Sequence, residues 1–212
     1  MFRRILLFIF LPLTLLLINA QFLVLNQSFY EKEFIKHDVY IHFEELSKEE
    51  IDSEVTSTIL FLKGKGELSS DFFNNKEKQH LHDVRSLLKD YKVSTFILIG
   101  ITLFLIFLTR KDRNAFVYAC MVTIGVLLLI LFLVSINFST IFTKFHEVSF
   151  PNDLWLLNPE KDNLINLFPQ AFFYDTFFLI GRNTLLSALL LLIIIRIKQK
   201  IYKNKRITKN YE

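Results

Sequence analysis

The chain has 212 residues, is 52% hydrophobic and carries a formal charge of +4. A single soluble core of this size needs far less apolar residue, and the surplus falls in blocks, which points to lipid as the solvent. The charge is split into short segments rather than pooled on one face, so no nucleic-acid surface is expected, and the single cysteine, Cys120, excludes an internal disulfide.

The first block, residues 5–25, is free of charge and follows Arg3 and Arg4. It has the basic start of a signal peptide, but the apolar stretch is long and Ile18-Asn19-Ala20 is a poor cleavage site, so it reads as a retained helix. Residues 26–92 form a polar segment with ten basic and fourteen acidic residues. Ser47 with Glu50 three later makes a capping box before Ile51, Val55, Ile59 and Leu62, and Lys63-Gly64-Lys65-Gly66 ends that helix. Asn74-Asn75-Lys76-Glu77 starts another helix, which carries Leu81, Val84, Leu87 and Leu88 on one side. It runs with little break into the second apolar block, residues 93–109, too short alone to cross about 30 Å of hydrocarbon without flanking residues. Arg110, Lys111 and Arg113 precede the third block, residues 115–138.

Residues 139–175 hold two basic and five acidic residues, but are crowded with Phe142, Phe145, Phe150, Trp155, Leu164 and Phe168 and broken by Pro151, Pro159 and Pro169. Such a segment suits the membrane interface, with Trp155 at head-group depth. The fourth block, residues 176–196, encloses Arg182, which has Asp175 two turns away as a partner, or snorkels, or holds an anionic head group. The tail, residues 197–212, is basic.

These blocks predict an all-α integral membrane protein. Four transmembrane helices, a small helical extracytoplasmic cap and cytoplasmic N- and C-termini satisfy the bias of short basic segments toward the cytoplasm. The spans hold no acidic residue, so a proton-coupled carrier has no relay. Neither a nucleophile elbow nor a phosphate-cradling glycine loop occurs.

All five histidines, His37, His42, His80, His82 and His146, fall outside the apolar blocks. Read singly, each is most simply a solvated surface residue. Two sit in clusters: Glu77, His80, His82 and Asp83 precede the second block, and His146-Glu147 follows the third with Asp153 nearby. Histidine is the natural acid or base near neutral pH, and a carboxylate can orient it. His80-Leu81-His82-Asp83 also resembles the start of a zinc-hydrolase site, but a third histidine at ligand spacing is missing.

Glu77-Lys78-Gln79-His80-Leu81-His82-Asp83-Val84 resembles the Glu-x-x-His-(Met/Leu)-x-Asp-Val motif of one bacterial membrane family. Phe145-His146, then Phe150-Pro151-Asn152-Asp153-Leu154-Trp155, Asn158-Pro159, Asp162, Phe168-Pro169 and Phe172-Phe173 supply a second motif. The chain is similar over nearly its whole length to the lipoprotein intramolecular transacylases. That resemblance implies an acyltransferase of the bacterial cytoplasmic membrane, with its site on the extracytoplasmic face. It implies movement of the sn-2 acyl chain of a diacylglyceryl-modified lipoprotein to the lipoprotein's own α-amine, giving the lyso form. His80 and His146 match the family's motif histidines and become the expected acid–base pair, with His82 at a variable position. Glu77 and Asp83 are then candidate orienters of His80, and Asp153 a further supporting carboxylate. Asn152, Trp155, Asp162 and Arg182 are expected to bind substrate. The expected partners are diacylglyceryl-modified lipoproteins and membrane lipids; no cofactor or metal is invoked. The rival readings are a non-catalytic accessory or chaperone protein and a metal-dependent lipid hydrolase.

Overall fold

The computed structural model describes residues 2–24, 26–68 and 70–208. Leu25, the expected end of the first span, and Lys209 of the basic tail lie outside them. Among the described residues the regular structure is helical. In chain order it comprises α1 (Phe2–Val24), α2 (Gln27–Lys36), a 3-10 turn (Val39–His42), α3 (Lys48–Leu62), α4 (Asn75–Thr109), α5 (Arg113–Ile136), α6 (Phe138–Ser149), α7 (Asn163–Leu167) and α8 (Gln170–Thr208). Of these, α1, α4, α5 and α8 are long and apolar enough to cross a membrane. The chain is an all-α, four-span integral membrane protein.

Local chemistry explains the breaks. Ser47 and Glu50 form the reciprocal capping box of α3, with Ser47 N–H donating to Glu50 Oε2 at 2.8 Å. At the other end Gly64 takes φ +82°, which a side chain would strain, and Lys65 N–H reaches back to the Leu60 carbonyl in a Schellman closure. α4 carries its polar N-terminal half and its apolar C-terminal half in one 35-residue helix, about 52 Å long at 1.5 Å per residue. Only its residues 93–109 are charge-free, so Glu77 and His80 stand well before the spanning part. Helix α5 ends at Ile136, within the third apolar block: Asn137 leaves helical geometry, accepts from Thr140 N–H and starts α6. The expected interfacial loop therefore opens with a three-turn helix, an element that the aromatic crowding and three prolines obscured.

The chain divides into two compact units. The first comprises Met1–Ala20, Ser94–Leu133 and Leu179–Glu212 and holds the charge-free parts of the four long helices. Leu7, Leu11, Leu105, Ala119 and Cys120 form its buried centre. Its packing follows membrane rules, in which small side chains admit close helix approach and hydroxyls act as clasps. Gly181, Thr184 and Ala188 line one stripe of α8, and a Cβ at Gly181 would lie 2.5 Å from Leu131 Cδ2. The Thr14 and Thr102 hydroxyls hydrogen-bond at 2.7 Å, and Asn19 Nδ2 donates to Ser187 Oγ at 3.2 Å. Outward-facing Phe104, Phe107, Leu128, Phe132 and Leu190 are all more than half exposed, a surface suited to lipid.

The second unit comprises Gln21–Val93 and Val134–Phe178. Its core is aromatic. Tyr30 stacks on Phe172 at 5.7 Å between centroids, and Phe34 meets Phe168 edge-on at 5.5 Å. Such pairs contribute about 0.5–1.5 kcal/mol each beyond the area they bury. Ile51, Val55, Phe61, Phe73, Leu164 and Leu167 are buried with them. Lys36 and His37 both meet Asp175 Oδ2 at 2.6 Å. The expected pairing of Arg182 with Asp175 is not formed: Arg182 donates to Asn183 Oδ1, the adjacent residue, at 3.3–3.4 Å.

Candidate active site

The second unit brings together the two sequence clusters. His80 projects from the N-terminal part of α4 and His146 from α6, with ring centroids 6.3 Å apart. Both rings are walled by aromatics. Phe150 lies 5.0 Å from His80, while Phe142 and Trp155 lie 4.4 and 5.1 Å from His146. His80 is 6% exposed, and its Nδ1 is buried without a hydrogen-bond partner.

His146 has a defined tautomer. Its Nδ1 lies 2.7 Å from the Phe142 carbonyl oxygen one helical turn back. A carbonyl only accepts, so Nδ1 carries the proton and the neutral ring keeps its lone pair on Nε2. Burial holds His146 below the usual histidine range, partly opposed by that hydrogen bond. Burial lowers His80 further, to about 4, with His146 and Lys76 adding to the shift and Asp83 opposing it. At neutral pH the site therefore presents two uncharged imidazoles in apolar surroundings.

The carboxylates are placed differently from expectation. Glu77, 1% exposed, does not bond His80. Its Oε2 accepts from Asn74 N–H at 2.7 Å, while Asn74 Oδ1 accepts from Glu77 N–H, a capping box at the start of α4. Its Oε1 accepts from Leu164 N–H at 2.6 Å and so also caps α7. One carboxylate thus joins two helix N-termini, where anions are favoured. Burial pushes Glu77 upward, and these backbone hydrogen bonds oppose it. Asp83 likewise does not bond His80 and accepts from Asn152 Nδ2 at 3.0 Å. Asn152 Oδ1 takes Leu154 N–H, so this residue ties the Pro151–Trp155 turn to α4.

Asp162 was expected to bind substrate, but it is 6% exposed and both its oxygens are engaged, by Asn74 Nδ2 and Asn158 N–H at 2.7 Å each. It holds the loop closed. Asp153 is exposed, and its carbonyl accepts from Leu156 N–H in a turn. Arg182 belongs to the first unit. Trp155, half-buried against His146, is the expected binding residue that stands at the pair.

The bystander histidines are elsewhere. His82 packs edge-on to Phe61 of α3 at 4.9 Å, His37 pairs with Asp175, and His42 is exposed in the 3-10 turn. Among the described residues, the grouping close enough to share an ion is Glu33, His37 and Asp175, with the Lys36 ammonium 2.6 Å from Asp175. His80, His82 and His146 do not converge on one point.

Three contributors escaped sequence reasoning. Asn74 links the two capping carboxylates, Lys76 donates to the Leu156 carbonyl, and the Phe142 carbonyl sets the His146 tautomer. Phe138, Phe142 and Phe145 behind Asn137 have helical spacing, the signal from which α6 was readable.

The chain matches the family model of the lipoprotein intramolecular transacylase Lit over residues 5–173. Comparison with curated proteins finds no match. Among solved structures it is similar to the membrane integral lipoprotein intramolecular transacylase Lit from Bacillus cereus, with a TM-score of 0.81 at 20% identity, covering 97% of each chain. A form of that enzyme with a histidine replaced by alanine matches with a TM-score of 0.79 at 21% identity, over 97% of this chain and 94% of that one. With four spans, two motif clusters brought together, and a family match covering most of its length, the chain belongs to the lipoprotein intramolecular transacylase family.

Proposed function

We propose that the His80–His146 pair moves the sn-2 acyl chain of a diacylglyceryl-modified lipoprotein to that lipoprotein's own N-terminal α-amine. The observation that supports it is two neutral imidazoles 6.3 Å apart, His80 buried and His146 half-buried with its tautomer held by a backbone carbonyl. In the reaction the amine nitrogen attacks the ester carbonyl carbon, the carbon–oxygen bond to glycerol breaks, and an amide forms. One proton must leave the amine and one must reach the glycerol oxygen. His146, with its Nε2 lone pair, is suited to take the first, and the pair returns a proton to the alkoxide. Nucleophile and ester belong to one molecule, so proximity supplies much of the rate and no cofactor is required. Trp155 and Phe150 would exclude water, which otherwise competes as nucleophile.

On this reading the site faces outward from the cytoplasmic membrane, and residues 1–4, 110–114 and 197–212 are cytoplasmic, as the basic segments favour. Reporter fusions after Lys111 and Arg206 should report the cytoplasm, and fusions at Gly64–Gly66 and after Pro159 the outside. The chemical test is to mix purified protein with a diacylglyceryl lipopeptide and weigh the product. An N-acylated species of unchanged mass supports internal transfer. Release of free fatty acid marks a hydrolase instead and overturns the assignment.

A further inference from the structure

The second unit contains a groove of about 750 Å³ on the side of α4 that carries His82. Its walls come from the C-terminal end of α3, the glycine turn after it, and the stretch of α4 that precedes Val93. Five cationic side chains line it, Lys63, Lys65, Arg85, Lys89 and Lys92, and no carboxylate does. This is not the average of the surrounding chain, because residues 26–92 hold fourteen acidic against ten basic residues. Three of these charges are not neutralised locally. Among the described residues Lys65, Lys89 and Lys92 form no salt bridge, and the Arg85 guanidinium lies over the Phe61 ring at 4.7 Å. Like charges gathered without counter-charge repel, and the arrangement is relieved by an anion among them.

Two further features specify the anion's carrier. The floor is apolar, made by Ile59, Leu62 and Leu88. Lys92 is the last charged residue before the charge-free block of α4, with Tyr91 beside it on the groove wall. Cations and a tyrosine at the edge of a spanning segment stand at head-group level, where a phosphate meets acyl chains. A soluble phosphate would have no use for the apolar floor.

We propose that this groove binds the phosphate of an anionic phospholipid, with the acyl chains directed along its apolar floor. The site is separate from the histidine pair: His80 and His146 do not line it. The transacylase's diacylglyceryl substrate carries no phosphate, so the occupant is a lipid other than the substrate. The inference stands whether or not the histidine pair transfers acyl groups.

The test uses the full chain in detergent micelles, with native mass spectrometry of phosphatidylglycerol against acyl-matched phosphatidylcholine. Wild type should retain phosphatidylglycerol at least tenfold better. The combined variant Lys65→Gln, Arg85→Gln, Lys89→Gln and Lys92→Gln should lose that preference, while Lys198→Gln with Lys200→Gln on α8 should keep it. If the combined variant fails to fold by thermal melt, single Lys89→Gln and Lys92→Gln variants should each weaken retention roughly fivefold. Equal retention of the two lipids, unchanged preference in the folded combined variant, or loss only in the α8 variant would overturn the proposal. Inorganic phosphate and an acidic peptide serve as competitors. Displacement of the lipid by millimolar phosphate would point to a free-phosphate site, and tight peptide capture without lipid preference would point to a protein partner; either overturns it.

Discussion

The two units of this chain solve burial in opposite ways. In the first, many large apolar side chains face outward, and small or hydroxylated ones share the interior with a few leucines: Phe104 and Phe132 are exposed, while Gly181, Thr184 and Ala188 mark a packed stripe. In the second, Phe29, Phe34, Phe61 and Phe73 are buried, and the charged residues lie outside apart from a few that cap helices. The solvent accounts for the contrast. Lipid gives no reward for hiding apolar surface, so helices associate through close approach and hydroxyl clasps. Water does, so the polar unit condenses around aromatics and must satisfy each buried carboxylate.

The comparison is broken most sharply at the histidine pair, where His80 keeps a buried Nδ1 without a hydrogen-bond partner. His80→Ala and His146→Ala should each cost activity about 10²–10⁴-fold while the protein still inserts. The double variant should cost less than the product of the singles, since both would act on one transition state. Product formation from a diacylglyceryl lipopeptide measures this.

The pH profile sharpens the same point. Burial depresses both histidines, so His146 stays neutral below the usual histidine range and His80, lowered to about 4, well below it. A substrate α-amine titrates at about 7.7–8.0. The acid limb of the rate should therefore follow the amine, falling about tenfold per pH unit below it. A limb centred near 6.5 would mean that a histidine titrates as if solvated. Stability falls in the same direction over a lower window: unfolding lets His80 regain protons, so stability is complete above about pH 6.5 and declines as pH falls toward 4.

Glu77→Ala tests the capping network. It orphans Leu164 N–H and one cap of α4, at roughly 1–3 kcal/mol for each N–H left unpaired. A thermal melt of the purified chain should show the loss, and Glu77→Gln, which keeps one acceptor oxygen, should lose less. In the first unit the corresponding lesion is steric. Gly181→Val drives a side chain against Leu131 and should destabilise by about 1–3 kcal/mol in micelles, with no direct effect on the histidines. The smallest effect belongs to His82→Ala. His82 lies on Phe61, away from the pair, and most acyl transfer should survive its removal.

What the sequence by itself determined is local. The four apolar blocks, the Ser47–Glu50 box, the Gly64 turn and the start of α4 at Asn74–Asn75 are each written within a few residues, because hydrophobic run length and capping chemistry act over that range. The two motif histidines were nameable from their neighbours. Tertiary structure alone decided the carboxylates' partners. Asp83 joins Asn152 across 69 residues, and Glu77 caps Leu164 across 87, rather than orienting His80 three positions away. An acidic side chain is satisfied by whichever donors folding delivers, and a helix N-terminus offers several at once. The His146 tautomer was hidden for a related reason: it depends on a backbone carbonyl, which every residue has, and becomes specific only when α6 forms and places Phe142 one turn behind the ring.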